Sequence, residues 1–197
     1  MSVDHEIAVD ICETSSMQAI HNVARGRSSI GVIRYKLKDE GYFMDYLDAN
    51  GLGSEQLWEF ELLATFSKKH PLSDRTPLNA DMLFPHVEVT LADETVPYIP
   101  AREENRADAR EDKCISVMNR MNVLEILSQV HSAYFWGAPV PEQMLSRYGL
   151  MQVPCAQEDS KCRDAVIYQK KHEFSTVEKH LINKLFEARN MMTFRER

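Results

Sequence analysis

The sequence predicts an α+β fold: one helix-rich domain spanning 1–197, with a small, mainly antiparallel sheet packed on a long central helix (114–136) and a C-terminal helix (175–192). Three observations carry this expectation. Cys114 to Trp136 runs without Gly or Pro and stops at Gly137, the length and punctuation of a helix. Segments 32–38, 86–99 and 164–169 show the alternation or the short apolar runs of strands. Ser175 and Glu178 are spaced as a capping box ahead of the stripe Val177, Leu181, Leu185, Ala188 and Met192.

Within the central stretch, Cys114, Val117, Met118, Met121 and Leu124 fall on one side of a helix, and Val123, Leu127, Val130 and Tyr134 on nearly the other. A helix apolar on two faces must be clasped on both. Upstream, Ser15 with Gln18 opens a short helix whose buried face is Met17, Ile20 and Ala24, and Gly26 ends it. Ile33, Tyr35 and Leu37 then alternate with Arg34, Lys36 and Lys38, a strand with a basic outer row. Asp39 heads a helix through Phe43, Tyr46 and Leu47, which Asn50-Gly51 closes. Ser54 is read as starting another through Leu57, Phe60, Leu63 and Ala64, ended by Lys68, Lys69, His70 and Pro71.

Five prolines between Pro71 and Pro100 exclude continuous helix there. His86 to Leu91 and Thr95 to Ile99 read as a hairpin, with Pro97 confining the second strand to an edge. Residues 101–113 are dense in charge and lack any large apolar side chain, so a subdivision into 1–100 and 114–197 would fall at this connector. After the central stretch, Pro141 begins a short helix ended by Gly149, and 164–169 reads as a strand.

Composition places the chain in the ordinary soluble class, with 44% hydrophobic and 27% charged residues. The acidic N-terminus and the lack of long apolar runs point to the cytoplasm, or to a particle assembled there, and to no membrane contact. Four scattered cysteines suit reduced thiols better than a disulfide framework. Residues 170–197 carry seven Lys/Arg against four Asp/Glu, leaving the rest at −10. That balance argues against duplex nucleic acid as a partner and makes a protein partner, or self-association, the better expectation.

Candidate chemistry is sparse, and no cofactor is expected. Cys155, Cys162, His172 and His180 are the residue types of a zinc site, but C-x6-C followed by H-x7-H lacks the close knuckle such sites use. Asp48 to Glu59 matches a calcium loop at several positions, yet Leu52 supplies no ligand where one is needed, and a connection between two helices explains the same letters. Asp159-Ser160-Lys161 reads as a polar loop, and Tyr134-Phe135-Trp136 as a plug for the core. Phosphate-loop, dinucleotide and nucleophile-elbow signatures are missing. The expected function is therefore non-enzymatic: an oligomer or a subunit of a larger assembly, of virion-type structural class, with Met191, Phe194, Arg195 and Arg197 as its interface. The alternative is a small hydrolase whose site is gathered from dispersed Cys, His and acidic residues.

Overall fold

The computed structural model describes residues 8–91, 113–156 and 159–193. The described residues, 36% helix and 33% strand, form two α/β lobes in place of a helix-rich domain with one small sheet. In the first lobe, the Ser15 hydroxyl accepts from the Gln18 amide and opens α1 (Ser16–Ala24), which buries Met17, Ala19, Ile20 and Val23. Gly26, at φ 68°, turns the chain into β1 (Ile30–Lys36). A 3-10 turn (Leu37–Asp39) leads into α2 (Glu40–Ala49), which buries Phe43 and Leu47. Gly51, again left-handed at φ 69°, returns the chain as β2 (Leu52–Glu61).

Residues 54–61 are thus strand and not helix. The three-residue spacing of Leu57 and Phe60 comes from a bulge: Asp164 and Ala165 of the neighbouring strand pair with Trp58 and Gln56, so Leu57 is the extra residue. Inserting one residue into a period of two yields a period of three, which a helix also gives.

The second lobe runs from β3 (Leu63–Ser67) through β4 (Leu78–Asn79), α3 (Ala80–Leu83), β5 (Val87–Leu91), β6 (Cys114–Val117) and α4 (Arg120–Gln129). It continues through β7 (Ala133–Gly137), α5 (Glu142–Arg147), β8 (Leu150–Val153) and β9 (Cys155–Ala156). Its main sheet has the order β6-β5-β7-β3-β8, with β5 parallel to β6 and β7, and β3 antiparallel to β7 and β8. A two-stranded parallel sheet, β4-β9, completes it.

The 23-residue central helix is therefore a strand, a ten-residue helix and a strand. The Asn119 side chain accepts from the Met121 amide and starts α4, and Val130 leaves the helical region at ψ 86° without help from Gly or Pro. Val123, Leu124 and Leu127 are buried, whereas Met118 is 86% and Met121 50% exposed, so of the supposed first face only Leu124 is buried. Aromatic Tyr134 to Trp136 sit on β7, where Tyr134 joins the core. The hairpin over 86–99 is likewise corrected: 87–91 is a parallel inner strand, and 95–99 lies outside the described residues, as does most of the connector 101–113.

The chain re-enters the first lobe as β10 (Lys161–Gln169), the centre of the antiparallel sheet β1-β10-β2. Ala165 and Ile167 pack with α1 and α2, while Cys162, Asp164 and Val166, on alternate positions, are buried on the other face. The final helix, α6 (Thr176–Thr193), has the foreseen capping box complete: the Ser175 amide donates to Glu178, and the Glu178 amide to the Ser175 hydroxyl. Arg189 Nη1 donates to the Leu57 carbonyl and ties α6 to the bulge of β2. The stripe on α6 is only partly covered, with Leu181 39% exposed.

Candidate functional site

The two lobes have separate cores. One gathers Ile20, Val23, Phe43, Ile33 and Ile167; the other two lie wholly within 64–153. The chain passes between the lobes at Leu62 and again just before β10, where the Ser160 carbonyl accepts the Leu62 amide at 2.9 Å. Beside this hinge is a groove of about 420 Å³ lined by Leu37, Lys38, Glu61, Asp159, Ser160 and Lys161. Lys38 pairs with Asp159 at 2.7 Å, and Asp159 holds a left-handed φ of 55°, a conformation Asp tolerates better than most residues. Separate cores on two short connections are the construction of a hinge.

Strand directions fix what faces the gap. Leu63, first in β3 after the crossover, pairs with Gly137, last in β7, so the C-terminal ends of the parallel strands β5, β6 and β7 point at the gap. α4 follows β6 and presents its N-terminus there. In the first lobe, β10 starts directly after the crossover and Cys162 pairs with Lys36, so β1 ends at the gap. The Ser16 hydroxyl donates to the Arg34 carbonyl at 2.8 Å and accepts the Arg34 amide at 3.0 Å, holding the N-terminus of α1 beside that end of β1. Two helix N-termini thus look into the gap, and neither has an acidic residue in its first turn. Between them, Glu13 reaches from the segment before α1 to Arg120, the first residue of α4, at 3.6 Å.

The loop after β7 is built as part of the same wall. Gln152 on β8 donates through Nε2 to the Ala138 carbonyl at 2.8 Å and to the buried Thr65 hydroxyl at 2.9 Å, and its Oε1 accepts the Val140 amide at 2.8 Å. One side chain saturates three partners and fixes the loop. Two positive helix ends and a guanidinium suit an anion of modest size.

The sequence-derived candidates lie elsewhere. Cys155 is half-buried on β9, where burial pushes its thiol up; Cys162 is buried in β10; His180 is exposed on α6. His172 contacts Glu178 at 3.1 Å, and no group of three His, Cys, Asp or Glu among the described residues is placed to hold a metal. The calcium-like loop is pulled apart, with Asp48 at the end of α2 bound to Lys170 and Leu52 to Glu59 in β2. Met191 is exposed on α6, and Phe194, Arg195 and Arg197 lie outside the described residues. Sequence reading passed over Glu13, Arg120 and Gln152, and took Asp159 for a plain loop residue. A polar residue inside the apolar stretch Leu150–Val153 was the one available hint of Gln152.

No protein-family profile matches the sequence. No curated protein matches it either. The fold has solved neighbours nonetheless. The effector-binding domain of QuiR in complex with shikimate superposes with a TM-score of 0.61 at 12% identity, over 90% of this chain and 79% of that one. The BenM effector-binding domain with its effector benzoate gives 0.58 at 15% identity, over 94% and 80%. HinK, a LysR family transcriptional regulator from Pseudomonas aeruginosa, gives 0.57 at 13%, over 88% and 58%. The two-lobed α/β fold is therefore that of LysR-type effector-binding domains. This overturns the expectation of a virion-type or other structural assembly component, which rested on missing catalytic motifs; a binding cleft between lobes requires none. Among the described residues no helix is long and apolar enough to cross a membrane.

Proposed function

We propose that this chain is a sensing domain that takes a small organic carboxylate into the gap between its lobes, with occupancy setting the angle between them. The observation that carries the reading is the pair of separately cored lobes hinged at Leu62 and 159–160, with Arg120 and the N-termini of α1 and α4 facing the gap. Two solved neighbours hold shikimate and benzoate, both carboxylates. Ligands of open α/β folds meet the protein at the C-terminal ends of parallel strands, where β5, β6 and β7 end here.

On the same reading, residues 1–197 act as one cytoplasmic, self-associating domain, with the exposed Met191 and neighbouring Phe194, Arg195 and Arg197 in the contact between copies. The test is calorimetric titration with benzoate, shikimate and cyclohexanecarboxylate, accompanied by melting curves. A carboxylate that binds at 100-fold above its Kd stabilises the folded state by about 2.7 kcal/mol, so the melt rises with concentration. If none of the three gives saturable heat or moves the melt, the carboxylate reading is wrong.

A further inference from the structure

Glu13 and Arg120 join the two lobes across the very gap assigned to the ligand. A carboxylate is thus already seated on the guanidinium at the N-terminus of α4, supplied by the chain itself. The contact is loose by construction. Its N–O distance is 3.6 Å, both side chains are about half exposed, and Glu13 lies on an irregular segment of 8–15 that forms no strand or helix. Ion pairs of this exposure favour the paired state by a factor of roughly 1.5 to 5. Close to it in sequence are apolar side chains left in solvent. Met118 and Met121 flank Arg120, and Ile11 is two residues before Glu13 with 88% of its surface open. Methionine adapts to flat apolar shapes through its flexible stem and polarisable sulfur.

We propose that Glu13 is a built-in competitor for the ligand's carboxylate, and that the ligand is a monocarboxylate with an apolar body. Its carboxylate displaces Glu13 from Arg120, and Met118, Met121 and Ile11 close on its apolar part. Glu13 then sets a threshold: the empty gap is bridged by the weak internal pair, and a ligand must out-compete it before the lobes are held by a foreign anion. The threshold is small, as a reversible sensor requires. A purely polar acid gains the carboxylate contact without the apolar one, so the order of affinity is benzoate and cyclohexanecarboxylate above shikimate.

This inference rests on the sensing role proposed above, and the experiment separates the two. Benzoate is titrated into the full chain, Glu13→Gln, Arg120→Gln and the double variant, each first shown to melt like the parent. Glu13→Gln is expected to tighten benzoate about 2- to 5-fold in the parent background. Arg120→Gln should weaken binding by more than 10-fold and leave Glu13→Gln without effect, because the competition is for that guanidinium. Benzoate binding that Glu13→Gln leaves unchanged or weakens overturns the competitor role while the sensing role stands. Tighter binding of shikimate than of benzoate overturns the apolar assignment. Failure of benzoate, shikimate and cyclohexanecarboxylate alike to bind the parent overturns both readings.

Discussion

Mild acid should destabilise the second lobe through His70. This ring, 1% exposed, sits just after β3 against Phe66 and His86, with ring centroids 4.7 and 4.5 Å away. Its Nδ1 accepts the Leu72 amide at 3.1 Å, so the neutral ring carries its proton on Nε2, and that buried nitrogen has no hydrogen-bond partner. Burial, and then the neighbouring His86, lower its pKa from 6.5 to about 4; the Ser132 carbonyl pulls the other way without completing a hydrogen bond. The sign follows. Above pH 6.5 the ring is neutral in both the folded and unfolded chain, and its contribution to stability does not change with pH. Between 6.5 and about 4 the unfolded chain binds the proton and the folded one does not, so stability falls as the pH drops through this window. At about 1.4 kcal/mol per pKa unit the full loss is roughly 3 kcal/mol. Urea denaturation at pH 7.5 and 4.5, followed by Trp136 of β7 in a Trp58→Phe background, reads this lobe alone. His70→Asn keeps an acceptor for the Leu72 amide and removes the titration. The parent should lose most of those 3 kcal/mol beyond the loss seen in His70→Asn. Equal losses in the two proteins would refute the buried neutral ring as the source of acid sensitivity.

Three further outcomes follow from packing. Asp164→Ala strips the carboxylate that holds Arg34 at 2.7 and 2.8 Å beneath its contact with Phe60, leaving a part-buried cation; the first lobe should lose about 2–4 kcal/mol, read by Trp58 fluorescence, and Asp164→Leu with Arg34→Met should recover much of it. Leu127→Ala, in a fully buried site on α4, should cost about 2–5 kcal/mol by urea denaturation, whereas half-buried Leu185→Ala on α6 should cost less than about 1.5. Timed alkylation with mass readout should modify exposed Cys12 and Cys114 first, Cys155 slowly because burial raises its thiol pKa, and Cys162 only once β10 unfolds.

What was legible in the sequence is what local chemistry decides. Ser15, Gly26, Gly51 and the Ser175–Glu178 box mark helix ends because capping is settled within four residues, and each mark sits at an observed boundary. The alternation of Ile33 and Tyr35 marks β1 because one face of that strand is packed on α1 and α2. The errors arise where partners decide. Cys114–Val117 becomes a strand because β5 offers a parallel ladder, Val89 against Ile115, and the ten helical residues that follow lend their period to both flanks. Leu57 mimics a helical spacing because β10 bulges it out of register. The site was less legible still. Glu13 and Arg120 meet only after both lobes form, and neither residue stands in a pattern that distinguishes it from ordinary surface charge.

The gap is wired to the hinge through the first lobe's central strand. Ser16 locks the N-terminus of α1 onto Arg34 of β1, and Arg34 grips Asp164 of β10 with two hydrogen bonds. β10 runs from that grip straight back to Lys161 and the crossover, where Ser160 accepts the Leu62 amide and Asp159 takes Lys38. Hydrogen bonds and one strand thus connect the N-terminus of α1 to the hinge with no loop between them. In the second lobe the corresponding path is shorter, from Arg120 through the start of α4 to the ends of β6, β5 and β7, and Gly137 of β7 pairs with Leu63 next to the hinge. An anion bridging the helix ends would pull on both paths at once, whereas the Glu13 contact pulls from a segment of 8–15 that forms no strand or helix. On the proposed reading, ligand and internal carboxylate would share one guanidinium and differ in which of these two paths they engage.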